Sequence, residues 1–426
     1  MKEYLKASKN DPALWYTAVL LVISQTPWDK AVVFLAIPLL IHLELNRSKS
    51  SSFGLKKMFF LNLVVLMGFI AGVVHLAEYN LYYFTRDIMY FIQAPIFIII
   101  GFYLCKNIFD FRELLKIIIM ASLVITIYKI MELVINPSLF SQLGLQTRYE
   151  YRLSNPTALL AFTILFYARI CKLKLFGNFV EWFIMGVSLF SVAISFSRTD
   201  YVLTLAMIFI PYLSKLNYTL KAYWVTVLFV LFIIFGGLFF SVESNALKGN
   251  SFQSKINHSF NEILVRKYET TFEISQNWRG YEAFLGLTKF NEGNFIEILI
   301  GQGFGAVVYT PNWIFNGEMG SLDVLPMFHN GFITILLKTG LLGLIFFFLF
   351  LFKLLKVASE VTILGVSKLD KLTTILLQSA VFTVLFLTFV VHGIFTTTTP
   401  VLLLILMGAT LKMKSPRRII LKLNKF

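Results

Sequence analysis

The chain has 426 residues, 57% of them hydrophobic and 14% charged, with a mean hydropathy of +0.75 and a formal net charge of +15. A soluble protein of this size could not cover so much apolar surface. Apolar runs of about 18–20 residues, enough to cross a hydrocarbon core, recur along the chain, and the positive charge follows those runs rather than forming a nucleic-acid footprint.

Twelve apolar spans are predicted, at 13–25, 31–45, 58–77, 87–105, 115–135, 157–171, 179–196, 199–213, 223–241, 330–352, 373–395 and 400–412. An even count puts both termini on one side. That side collects Lys2, Lys6 and Lys9, the tail from Lys412 to Lys425, and alternate loops carrying residues such as Arg47, Lys106, Lys172, Lys215 and Lys353. Together these hold 25 of the 38 Lys and Arg, against seven on the opposite face. The rest lie in one long loop, which the positive-inside rule does not count, so the basic face is expected to be cytoplasmic. The first run, Leu14–Ser24, is followed by Gln25-Thr26-Pro27-Trp28, which lacks a small-residue cleavage pattern, so no cleavable signal peptide is expected. Cys105 and Cys171 fall at cytoplasmic span ends and form neither a disulfide framework nor a CxxC metal motif. The expected organisation is all-α and polytopic: nine spans over 1–241, an extracytoplasmic loop over 242–328, then three spans and a basic cytoplasmic tail over 329–426.

Within the long loop Phe252, Ile256, Phe260, Ile263, Leu264, Tyr268 and Phe272 recur every three to four residues and predict an amphipathic helix. Trp278, Tyr281, Phe284 and Leu285 predict a second. Such a loop would pack over the outer mouth of the bundle.

Ionisable residues at span ends on the basic face (Glu44, Arg169, Glu181) are explained by snorkelling. The others, Glu78, Arg86, Asp87, Lys129, Glu132, Arg198, Asp200, Lys338 and His392, all fall by this topology in the outer half. Charged groups there are candidate functional sites. Arg198 stands in Ser195-Phe196-Ser197-Arg198 at a hairpin tip. Its guanidinium matches phosphate oxygens and the Ser197 hydroxyl can add a donor, while contact with lipid headgroups is the plainer alternative. Asp200, two residues on, would not face Arg198 on a regular helix and reads as structural. Arg148 and Arg152 precede Asn155-Pro156, a helix-start signal, and on their own read as a surface basic pair. Arg279 and Glu282 lie one helical turn apart, the spacing of an ordinary ion pair. Gly301-Gln302-Gly303-Phe304-Gly305 lacks the strand and helix of a nucleotide site and reads as a tight turn. His329 precedes Asn330, a predicted N-cap, and a neutral imidazole there can accept a proton from a hydroxyl. Lys338, about 12 Å further along the helix at ~1.5 Å per residue, faces either a ligand or an acidic partner.

In this order the pieces resemble the O-antigen polymerase and ligase family of membrane glycosyltransferases. The resemblance covers Arg152–Gly343: Arg152 with Asn155-Pro156; Ser195, Ser197 and Arg198 at a hairpin; Arg279 in a long loop; Gly301, Gly303 and Gly305; then His329-Asn330 and Thr339–Gly343. It departs where the family has a glycine after the hairpin arginine, here Thr199-Asp200, and an asparagine after Asn-Pro, here Thr157. The resemblance implies a GT-C-like fold and a metal-independent enzyme of the bacterial inner membrane with a periplasmic active site. Its donor would be a glycan on undecaprenyl pyrophosphate, no cofactor would be needed, and membrane lipid and a chain-length regulator would be the partners. Arg198, Arg279 and one of Arg148 or Arg152, helped by Ser197 and Lys338, are expected on the pyrophosphate. His329 is expected on the acceptor hydroxyl. Polymerase is preferred; ligase to lipid A–core and exopolysaccharide or capsule polymerase stay open. A lipid-linked oligosaccharide transporter fits less well, because it would need polar groups on both sides of the midplane and broken helices in paired halves.

Overall fold

A computed structural model describes residues 31–45, 55–107, 109–135, 156–195, 197–213, 264–310, 324–359, 367–395 and 401–413. In lipid a backbone must satisfy its own polar groups, which leaves the helix as the default for apolar segments of this length. Accordingly α1 (Ala31–Leu45), α2 (Leu55–Val74), α3 (Leu81–Asn107), α4 (Phe111–Ile135), α5 (Pro156–Ile170), α6 (Asn178–Ile194) and α7 (Arg198–Leu213) cover the expected spans. After the loop come α11 (Gly331–Ser359), α12 (Lys368–Val390) and α13 (Val401–Met413). Every expected span on described residues coincides with a helix; those at 13–25 and 223–241 lie outside the described residues. Four helical stretches, Leu81–Cys105, Phe111–Glu132, Gly331–Ser359 and Lys368–Val390, are long and apolar enough to cross a membrane, and five shorter apolar helices accompany them. The architecture is that of a helical membrane protein.

The loop contributes α8 (Thr271–Gln276), α9 (Trp278–Asn291), α10 (Phe295–Ile300) and a two-residue antiparallel pair, β1 (Val308–Tyr309) with β2 (Val324–Leu325). The second amphipathic helix expected in the loop is α9, which buries Tyr281 and Ala283. Of the first, the part before 264 lies outside the described residues. The part at 264–270 is not helical. There the Tyr268 hydroxyl donates to the Leu264 carbonyl, and Thr270 accepts from the Glu273 amide to start α8 instead. A cap at Thr270 sets a boundary that apolar periodicity ignores.

The span expected from 87 begins earlier, at Leu81. Asn80 accepts from the Tyr82 amide at 2.9 Å and starts α3. Arg86 and Asp87 therefore sit more than a turn inside the helix.

Two glycine features lock the loop into the bundle. Gly301, Gly303 and Gly305 have φ of 86°, 88° and 93°, and Gly340 breaks α11 with φ 68° and ψ −172°. In an unbroken helix the Leu337 and Lys338 carbonyls would accept from residues 341 and 342. Here they accept from the loop amides of Gln302 at 2.8 Å and Gly303 at 3.1 Å. On the other side the Phe304 amide donates to the Gly68 carbonyl of α2 at 2.8 Å. The buried Phe304 ring meets Phe91 at 4.8 Å. The expected tight turn is thus embedded between α2, α3 and α11. A Cβ at Gly303 would lie 2.0 Å from the Gly72 amide nitrogen. With a left-handed φ already costing about 1–2 kcal/mol for an L-residue, Gly303→Ala should lower the unfolding temperature in detergent clearly, whereas Gly186→Ala, which meets nothing within 4 Å, should leave it nearly unchanged.

Candidate functional site

Three elements meet where α11 begins and α12 ends. The first turn and a half of α9 carries Arg279 and Glu282. The segment before α11 carries His329. The turn after α12, beyond Val390, carries His392. Asn330 caps α11 by accepting from the Phe332 amide at 3.0 Å, which fixes the chain direction at His329. Glu282 Oε2 lies 2.6 Å from His329 Nδ1 and also accepts from the His329 amide at 3.1 Å. An ionised carboxylate can only accept, so the ring proton belongs on Nδ1 and leaves Nε2 free to take a proton. The Glu282 side chain is 5% exposed and that of His329 is 33% exposed. The acid is thus enclosed while the imidazole reaches the surface.

His392 stands behind this pair. Its Nδ1 donates to the Phe328 carbonyl at 2.7 Å, and its ring centre is 4.9 Å from that of His329. Burial, with His329 and Arg279 nearby, pushes its pKa down to about 4, against the opposing pull of the Phe328 carbonyl and Glu282. His392 is therefore neutral at physiological pH, and it gives the His329 ring a neutral wall.

A second cluster lies deeper. Asp87 accepts from Lys338 Nζ at 2.5 Å, Arg86 Nη2 at 3.0 Å and the Gly305 amide at 2.9 Å. Lys338 Nζ also donates to the Ala306 carbonyl. Lys338 is 0% and Asp87 1% exposed. The Arg86 guanidinium lies over the Tyr83 and Tyr90 rings, 5.2 and 5.6 Å from their centres. This cluster ties α3, α11 and the glycine turn together. The Lys338 ammonium is occupied by protein.

Arg198 is the first residue of α7. Before it, the Ser197 hydroxyl accepts from the Asp200 amide at 3.4 Å, and the Ser195 hydroxyl donates to Asp200 Oδ2 at 3.4 Å. Ser197 and Asp200 therefore act as a helix cap, in keeping with a structural part for Asp200. Helix α7 packs on α12. Arg148 and Arg152 lie outside the described residues. Between α5, α7, α12 and α13, at the end where α5 and α7 begin, lies a small, mainly apolar cleft lined by Leu159, Leu160, Leu203, Leu376, Leu387 and Leu403, among others. Among the described residues no group of three or more His, Cys, Asp or Glu is placed to hold a metal ion.

The sequence reading gives Glu282 only as a neighbour of Arg279. A signal was available: Trp278, Glu282 and Leu285 fall at i, i+4 and i+7, which puts the carboxylate on the apolar stripe of α9. In the sequence His392 is one of the outer ionisable groups with no role assigned. The Asp87–Lys338 pairing joins residues 251 positions apart and has no local signature.

No family model, curated protein or solved structure matches the chain. Fold and site together define a helical membrane protein that holds a carboxylate–imidazole pair at one end of its bundle.

Proposed function

We propose that the chain is a membrane glycosyltransferase of the O-antigen polymerase type. It joins undecaprenyl-pyrophosphate-linked oligosaccharide repeats at the periplasmic face of the bacterial inner membrane, on a GT-C-like bundle of about twelve spanning helices. The observation that carries the reading is the Glu282–His329 pair, a buried acid fixing a partly exposed imidazole with Nε2 free. In the proposed reaction His329 Nε2 takes the proton of the acceptor hydroxyl. The acceptor oxygen forms the new bond to the anomeric carbon of the donor as the bond from that carbon to pyrophosphate breaks, with inversion. The leaving pyrophosphate keeps the electron pair, and Arg198 and Arg279 stabilise its charge. Arg148 or Arg152 would complete that set. Glu282 is the positioning residue for His329.

The test is purified protein in liposomes supplied with lipid-linked repeat units and no energy source. Lengthening of the lipid-linked glycan is expected. Arg198→Ala and Arg279→Ala should abolish long product at normal protein level, and full-length polymer from both variants would remove the phosphate assignment. A deletion strain sorts the relatives of this reading. Single-repeat lipopolysaccharide supports the polymerase, bare core with accumulated lipid-linked polymer the ligase, and unchanged lipopolysaccharide an exopolysaccharide or capsule polymerase. Movement of lipid-linked glycan across the liposome membrane without lengthening would point to a transporter.

A further inference from the structure

The six residues of α10, Phe-Ile-Glu-Ile-Leu-Ile, include five apolar side chains, and none of the six residues is buried. Phe295 is 74% and Ile296 64% exposed. Water is a poor solvent for such a helix, yet α10 is firmly built. Asn294 accepts from the Ile296 and Glu297 amides, and Glu297 returns a bond to the Asn294 amide at 2.9 Å. The helix packs on α11 and α2.

Its level along the bundle is fixed from both ends. Glu297 Oε1 lies 3.6 Å from His75 Nε2, and His75 Nδ1 lies 3.4 Å from Glu78, so the start of α10 stands where α2 ends. At the other end, Gly301 and Leu299 meet the break in α11 at Gly340. The two helices that carry α10 expose apolar side chains over this stretch: Phe69, Ile70, Val73 and Val74 on α2, and Leu341 and Ile345 on α11. Those belong to helices read as crossing the membrane, where lipid covers them. Phe295 and Ile296 continue the same surface at its edge, beside the polar level marked by His75, Glu78 and the exposed Lys289–Glu292 pair.

We infer that α10 is an interfacial anchor, a short re-entrant helix whose Phe295 and Ile296 side chains insert into the lipid leaflet on the loop side of the membrane. Because Ile300 runs directly into the glycine turn, the anchor sets the depth at which that turn meets α2 and α11. The inference needs only the membrane character of the bundle and is independent of the catalytic reading.

The test uses the full chain in liposomes with Cys105 and Cys171 replaced by alanine. Nitroxide labels are placed at Phe295→Cys and Ile296→Cys, with Ile345→Cys as the lipid reference and Glu292→Cys as the water reference. Collision of the label with oxygen, which concentrates in lipid, is compared with collision with a water-soluble nickel chelate. The logarithm of the oxygen-to-nickel ratio should be positive at 295 and 296, as at 345, and negative at 292. A negative value at both positions, placing them in water, overturns the inference. So does weak collision with both reagents, which would place a protein surface over α10.

Discussion

Replacing His329 with alanine is expected to lower glycan polymerisation by about 10²- to 10⁴-fold, the range of a single acid–base group, with unfolding temperature nearly unchanged. The imidazole is partly exposed, and Asn330, not His329, caps α11. Glu282→Gln should take away part of the same factor, because the amide can still lie near Nδ1 but is no longer the acceptor-only group that fixes the Nδ1–H tautomer. The decisive readout is the double variant. If Glu282 acts through His329, Glu282→Gln costs little further activity once His329 is alanine. A further loss as large as in the parent would leave Glu282 a packing residue only.

The second large effect concerns the buried charges at Asp87 and Lys338. Lys338→Met leaves the Asp87 carboxylate with Arg86 and the Gly305 amide but without its fully buried partner, and Asp87→Asn strands the Lys338 ammonium. Breaking a buried pair from one side costs about 3–5 kcal/mol, so either variant should unfold well below the parent temperature or fail to accumulate. The double variant should recover most of the loss, since Asn retains an acceptor for the Gly305 amide and Met fills the lysine's volume. Thermal unfolding of the three proteins in one detergent measures this. Equal, additive losses would show that the two side chains act apart.

Where the chain follows the membrane, its structure was legible, because a run of apolar residues of spanning length leaves the backbone few choices. The start of α5 at Pro156 and the Asn330 cap of α11 were equally readable, since each is written in adjacent residues. The start of α3 was not. Asn80, Leu81 and two tyrosines begin a helix that hydropathy delays to residue 87, and this moved Asp87 from the mouth of a span to the interior of one. The site divides along the same line. His329, Arg198 and Arg279 stand in local motifs. The partners that position His329 come from α9 and from the turn after α12. The lysine at 338 admitted either a ligand or an acid on sequence grounds, and its acid belongs to a helix on the far side of the chain.

The broken helix at Gly340 also constrains how such a chain can be made. The carbonyls of Leu337 and Lys338 look to Gln302 and Gly303 for their hydrogen bonds, and an unsatisfied carbonyl in hydrocarbon costs several kcal/mol. The glycine turn precedes α11 in the chain, so it is synthesised and has left the ribosome before the helix it completes. Its docking and the entry of α11 into lipid are then one event of biogenesis, with the membrane completing the spanning segment only around a loop already waiting for it.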